Sequence, residues 1–144
     1  MHSNIIVFKS SPDCPYSMTE DDIFENMHGV ANYVISIDDI TEPKDIINYL
    51  QEAFCCSGID INIHVDPEND KRVMAVIQNP NKVKTATYNQ NDLWICTDLF
   101  NDSGDFKVMP LDSFIDCLRY LEYSSKTKGK EAVMYVDKLY GYNY

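Results

Sequence analysis

The residues best suited to chemistry in this chain are its cysteines and its clustered carboxylates. Cys14 stands in Ser-Ser-Pro-Asp-Cys-Pro-Tyr-Ser-Met (10–18), directly after the apolar run Asn4–Phe8. A thiol at a strand-to-helix corner can be nucleophilic, because a helix N-terminus and nearby cations favour the thiolate. The neighbours here have the opposite sign. Asp13 precedes the thiol and Glu20, Asp21 and Asp22 follow it, and carboxylates disfavour a second negative charge. Cys55, Cys56, Cys96 and Cys117 complete an odd number at irregular spacings. They read as free thiols of a reducing compartment, not as a disulfide framework. No Cys-x-x-Cys pair occurs, and His2, His28 and His64 are scattered, so neither a metal nor another cofactor is expected.

Cys14-Pro15-Tyr16-Ser17, placed after a first strand, resembles the active-site corner of glutaredoxins. The resemblance covers about ten residues, a length at which motifs match often by chance. It implies a thiol-disulfide oxidoreductase with Cys14 as nucleophile, Pro15 at the first helical position and Ser17 in place of a second cysteine. Other features depart from that family. Ser17 with Glu20, or Thr19 with Asp22, forms a capping box that starts the helix later. The family's Pro before its third strand has no counterpart, and there is no Gly-Gly. A thiol in a turn before an N-capped helix accounts for Cys14, and the redox enzyme stands as the alternative reading.

The remaining motifs carry little chemistry. Asp66–Lys71 has alternating acids like a calcium loop, but lacks the required Gly and places Ile77 where the last ligand belongs. Asp98, Asp102 and Asp105 suit a hairpin turn. Gly-x-Ser-x-Gly, His-Glu-x-x-His and a Gly-rich phosphate loop are all missing. An enzyme is not the expected outcome.

Charge is more informative. The 144 residues carry a formal net charge of −11. Residues 1–70 hold 14 carboxylates against only Lys9 and Lys44, whereas residues 71–144 hold 9 against 10 Lys and Arg. An acidic half excludes nucleic acid as a direct ligand and suits a basic protein partner. Asp38 and Asp39, followed by Glu42 and Asp45, lie where a strand gives way to a helix. Acids in a first turn cap the helix dipole, which accounts for Glu42 and Asp45 but not for the aspartate pair. Glu20, Asp21, Asp22 and Glu25 form a second group on the first helix. Two parallel β-α units would bring both groups to one end of a sheet as a single negative surface.

The elements that position these residues follow from apolar spacing. Asn4–Phe8 is a short buried strand, a helix falls within Ser17–His28 and stops at Gly29, and Asn32–Ile37 is a second strand with Tyr33 in the core. Pro43 opens a helix whose Ile46, Ile47, Leu50, Ala53 and Phe54 share a face and which Gly58 ends. Ile59–Val65 alternates cleanly and pairs with Arg72–Gln78 as a hairpin. Lys84–Tyr88 and Asp92–Asp98 form a further strand pair, Phe106–Met109 another strand, and Leu111–Tyr123 the clearest helix. Residues 131–144 form either a strand or a short helix stopped at Gly141, and helix is favoured because Ala132, Val133, Val136 and Leu139 share helical spacing. Cys55 or Cys56, Cys96 and Cys117 are expected to pack as small hydrophobes.

The whole chain, 1–144, is thus expected to be a single α/β or α+β domain. Its mixed sheet carries about three to four helices, in the order β-α-β-α, antiparallel strands, C-terminal helices. No run reaches transmembrane length, and Met-His-Ser-Asn is not a signal-peptide start; a cytoplasmic protein is expected. In size and composition the chain is similar to immunity proteins and phage-type anti-defence inhibitors. The expected function is an acidic inhibitor that blocks a basic, nuclease-type or toxin partner through Asp38, Asp39, Glu42, Asp45, Glu20, Asp21, Asp22 and Glu25. A third reading is a non-catalytic accessory protein that self-associates.

Overall fold

The computed structural model describes residues 2–27, 29–55, 57–80, 93–101, 103–120, 127–128 and 131–143. Alternation in the first strand, β1 (His2–Lys9), sets the architecture. Ile6 and Phe8 point into one core with Leu50, Phe54, Leu111 and Phe114. Ile5 and Val7 point into a second core with Met18, Ile23 and Met27. Successive strand residues face opposite sides of a sheet, so helices cover both faces.

Helix α1 (Glu20–Asn26) lies on the second face, started by a Thr19–Asp22 capping box. Helix α2 (Pro43–Phe54) and helix α3 (Leu111–Arg119) lie on the first. Pro43 occupies the first turn of α2, where its missing N–H costs nothing. Gly58, just beyond α2, takes a φ of 76°, a conformation few other residues adopt.

The sheet is mixed. Its main strand order is β3 (Ile61–Asp66), β4 (Asn69–Gln78), β8 (Glu131–Asn143), β1, β5 (Leu93–Thr97), β6 (Lys107–Pro110). Strand β1 is parallel to β5, and the other neighbours in that path are antiparallel. Strand β2 (Tyr33–Ser36) and the two-residue β7 (Thr127–Lys128) also pair with β8. The fold is therefore α+β, with three helices among the described residues. The hairpin read from alternation is β3–β4, with β4 starting three residues earlier than expected. The expected strand Lys84–Tyr88 lies outside the described residues. No helix among them is long and apolar enough to cross a membrane.

The C-terminal segment corrects the sequence reading: residues 131–143 are not a helix but the central strand β8. Val7 pairs with Lys138 and Phe8 with Val136, so Asp137 is an extra residue on β8. Such a bulge shifts the two-residue alternation by one. Ala132, Met134 and Val136 face the first core before the bulge, and Leu139 faces it after. The spacing Ala132, Val136, Leu139 therefore imitates i, i+4, i+7 of a helix. Beyond the bulge, Tyr140 and Tyr142 turn into the second core, both nearly fully buried.

Residues 140–143 of β8 pair with β1 on one edge and with β2 on the other. Tyr135 likewise has β1 and β4 on opposite sides. Strands β2 and β4 thus lie end to end along one edge of β8. Both β1 and β2 run antiparallel to β8, so they point the same way, but β1 runs on to Tyr135 of β8 whereas β2 ends opposite Tyr140, where the chain turns away before β4 begins.

Candidate functional site

The chain leaves β2 through Asp38 and Asp39 and enters α2 at its N-cap, Glu42. The Glu42 side chain makes no capping bond, and Asp45 lies in the first turn. All four carboxylates are exposed, and among the described residues none accepts a hydrogen bond or pairs with a cation. Asp45 and Glu42 still favour the positive end of the helix dipole. Asp38 and Asp39 have no such use.

The acids of α1 divide differently. The Glu20 carboxylate accepts the Ser36 N–H at 3.0 Å, across the end of β2. Hydrogen bonding from Ser36, helped by the charge of Lys138, holds Glu20 below the usual carboxylate range. Asp22 accepts the Thr19 N–H at 3.0 Å, while its own N–H donates to the Thr19 hydroxyl at 3.2 Å. Those bonds lower its pKa too. Asp21 and Glu25 are exposed and unpaired among the described residues. Glu20 thus ties α1 to the residue two positions before Asp38. The two helices remain on opposite faces, so the acidic groups meet around the end of β2 and not on one flat side.

Cations that charge counting did not single out stand beside this corner. A groove of about 410 Å³ opens where β2 and β4 face each other along β8. Asp38, Asp137, Lys71, Arg72 and Lys138 line it over an apolar floor that includes Ile37, Val73 and Val136. Arg72 is committed to Asp66, with Nε and Nη2 at 2.7 and 2.6 Å from one carboxylate oxygen, and it stacks over Tyr135. The Glu68 N–H, then Arg72, hold the Asp66 carboxyl low. Lys71 and Lys138 are exposed. The acidic corner therefore has a basic margin.

Apolar surface adjoins it as well. Tyr33, read from sequence as core, is 41% exposed, and Ile35 is 50% exposed. Both project from β2 on the side opposite buried Val34; the residue paired with Ile35 is Gly141, which offers no side chain to cover it. A strand apolar on both faces gives no alternation from which to tell the exposed side.

The segment carrying Cys14 is held by a polar network. Lys9 Nζ donates to the Cys14 carbonyl at 2.9 Å and pairs with Asp137 at 3.4 Å. Ser17 Oγ donates to the other Asp137 oxygen at 2.9 Å. Ser10 donates through N and Oγ to the two oxygens of buried Asp98, at 2.8 and 2.9 Å. Helix α1 starts at Glu20, so Cys14 is not at its N-terminus. The bulge residue Asp137 uses Ser17 as an anchor for this loop. Cys96 is fully buried, and burial, with Asp137, Asp98 and Asp22 nearby, pushes its thiol to about 12. Cys117 is half-buried and Cys55 is exposed, while Cys56, the other candidate for packing at the end of α2, lies outside the described residues. Among the described residues no group of three or more His, Cys, Asp or Glu is placed to hold a metal ion.

The functional features legible only in the structure are thus the pairing of Glu20 with β2, the basic margin and the bare apolar strand. No family model matches the chain, and no match is found among curated proteins or solved structures.

Proposed function

We propose that the protein is an acidic protein-binding inhibitor, of immunity or anti-defence type, that blocks a basic nuclease-like partner. The observation that carries this reading is the β2–α2 corner. Asp38, Asp39, Glu42 and Asp45 are all exposed and have no partner among the described residues, while Asp21 and Glu25 of α1 extend the same charge around the end of β2. Carboxylates left without a hydrogen-bond or cation partner raise the negative potential where a cationic cleft would dock. Such complementarity accelerates association and suppresses acidic competitors. The adjoining Tyr33 and Ile35 supply the apolar contact that a charged rim alone lacks.

The test is inhibition of a panel of small basic nucleases by the purified protein. One of them is expected to lose activity on stoichiometric addition, with affinity falling about tenfold or more between about 50 and 300 mM salt. The double variant Asp38→Lys/Asp39→Lys is expected to abolish the effect. Inhibition that survives both high salt and charge reversal would refute the electrostatic mechanism.

A further inference from the structure

Among the described residues, strand β2 is bonded into the sheet along one edge only. The Ile37 N–H donates to the Leu139 carbonyl at 3.0 Å, so Ile37 turns its backbone groups toward β8. By the alternation of an antiparallel ladder, Ile35 and Tyr33 do the same. Val34 and Ser36 must then direct theirs outward. The Glu20 carboxylate, bound to the Ser36 N–H from outside the sheet, confirms that direction independently. Among the described residues nothing bonds the outward N–H or C=O of Val34.

An unpaired edge is a template for another chain, and proteins commonly guard it with a charged side chain. Here the guard is one carboxylate on one N–H. On the sheet face beside the edge stand the exposed Tyr33 and Ile35, and Asp38 and Asp39 follow at the strand's end. Backbone donors and acceptors, an apolar stripe and a negative rim thus occur together within a few residues.

We infer that the outer edge of β2 is the docking strand for a basic, extended segment of a partner protein, which joins the sheet as an added strand. This deepens the acidic-inhibitor reading and rests on it. The segment's backbone pairs with Val34 and Ser36, its apolar side chains cover Tyr33 and Ile35, and its Lys or Arg side chains meet Glu20, Asp38 and Asp39. Glu20 leaves the Ser36 N–H as the strand arrives and is repaid by a cation, so the guard becomes a contact. A second copy of this chain is a poor occupant, because each copy brings a net charge of −11 to the contact.

The probe is a short peptide of alternating lysine and valine, compared with the same peptide N-methylated at alternate amides and with a glutamate-valine version. Amide exchange at Val34 and Ser36 is followed by NMR on the intact chain. The lysine peptide is expected to slow exchange at Val34 about tenfold or more, and N-methylation to weaken binding by a similar factor. The glutamate peptide is expected not to bind. Salt-sensitive binding that leaves Val34 exchange unchanged and tolerates N-methylation would overturn strand addition while leaving the acidic surface standing. Failure of the lysine peptide to bind at low salt would overturn both. Protection of Val34 that rises with protein concentration alone would assign the edge to a second copy and overturn the basic partner.

Discussion

Removing a single hydroxyl tests how β8 holds the loop and α1 in place. The Tyr140 ring is 1% exposed, and its hydroxyl donates to the Met18 carbonyl at 2.7 Å. Met18 ends the segment that carries Cys14 and precedes the α1 cap. Tyr140→Phe keeps the ring and its apolar contacts, so the loss is confined to the hydroxyl's hydrogen bonds, with the Met18 carbonyl and with the Ser36 side chain, and to a buried carbonyl deprived of a donor. The cost is about 1–3 kcal/mol, a large part of the ~5–15 kcal/mol that holds a domain of this kind together. With a urea m-value of about 1–3 kcal/mol/M, the midpoint falls by roughly 1 M at unchanged slope. Urea unfolding followed by the fluorescence of Trp94, which packs edge-on to Tyr142 in the same core, reads this directly. Tyr135→Phe is the control: it keeps the ring beneath Arg72 and is expected to stay within about 0.5 kcal/mol of the parent. A Tyr140→Phe midpoint no lower than that of the control would refute the claim that β8 anchors the loop through this bond.

Thr19→Ala removes the hydroxyl half of the α1 capping box and is expected to cost about 1 kcal/mol, with Thr19→Ser restoring most of it in the same urea assay. Glu20, Asp22 and Asp66 all have lowered pKa values. Their stabilisation is complete above the ordinary carboxylate range and is lost as pH falls through their folded-state values, so melting temperature is expected to drop between about pH 5 and pH 2. A flat profile there would contradict these bonds. Alkylation at mildly alkaline pH is expected to label exposed Cys55 readily and to spare Cys96, which is buried and held at about 12. Mass spectrometry of the digested protein checks this, and labelling of Cys96 without denaturant would show that the second core opens.

Local rules decided a good deal by themselves. Two overlapping capping boxes, Ser17 with Glu20 and Thr19 with Asp22, bracketed the start of α1, and Pro43 with one apolar face marked α2. Alternation from Ile59 onward fixed the β3–β4 hairpin. Each signal is short-ranged, because capping bonds, first-turn geometry and strand pleat involve residues close in sequence. The acidic clusters were visible as composition, and so was their position at helix starts.

What each carboxylate does was not visible. Asp22 serves the α1 cap and Glu20 serves an N–H on β2, while Asp38, Asp39, Glu42 and Asp45 serve no group among the described residues. Those roles depend on Ser36, sixteen residues from Glu20, and on β8, more than a hundred away. The C-terminal strand shows the reason most plainly. Its bulge at Asp137 converts a two-residue period into helix-like spacing, and only the register against Val7 and Phe8 reveals it. The same strand separates β1 from β2 and, among the described residues, is the only strand bonded to β2. Strand neighbours are chosen by long-range packing of both faces at once, and no local pattern encodes that choice.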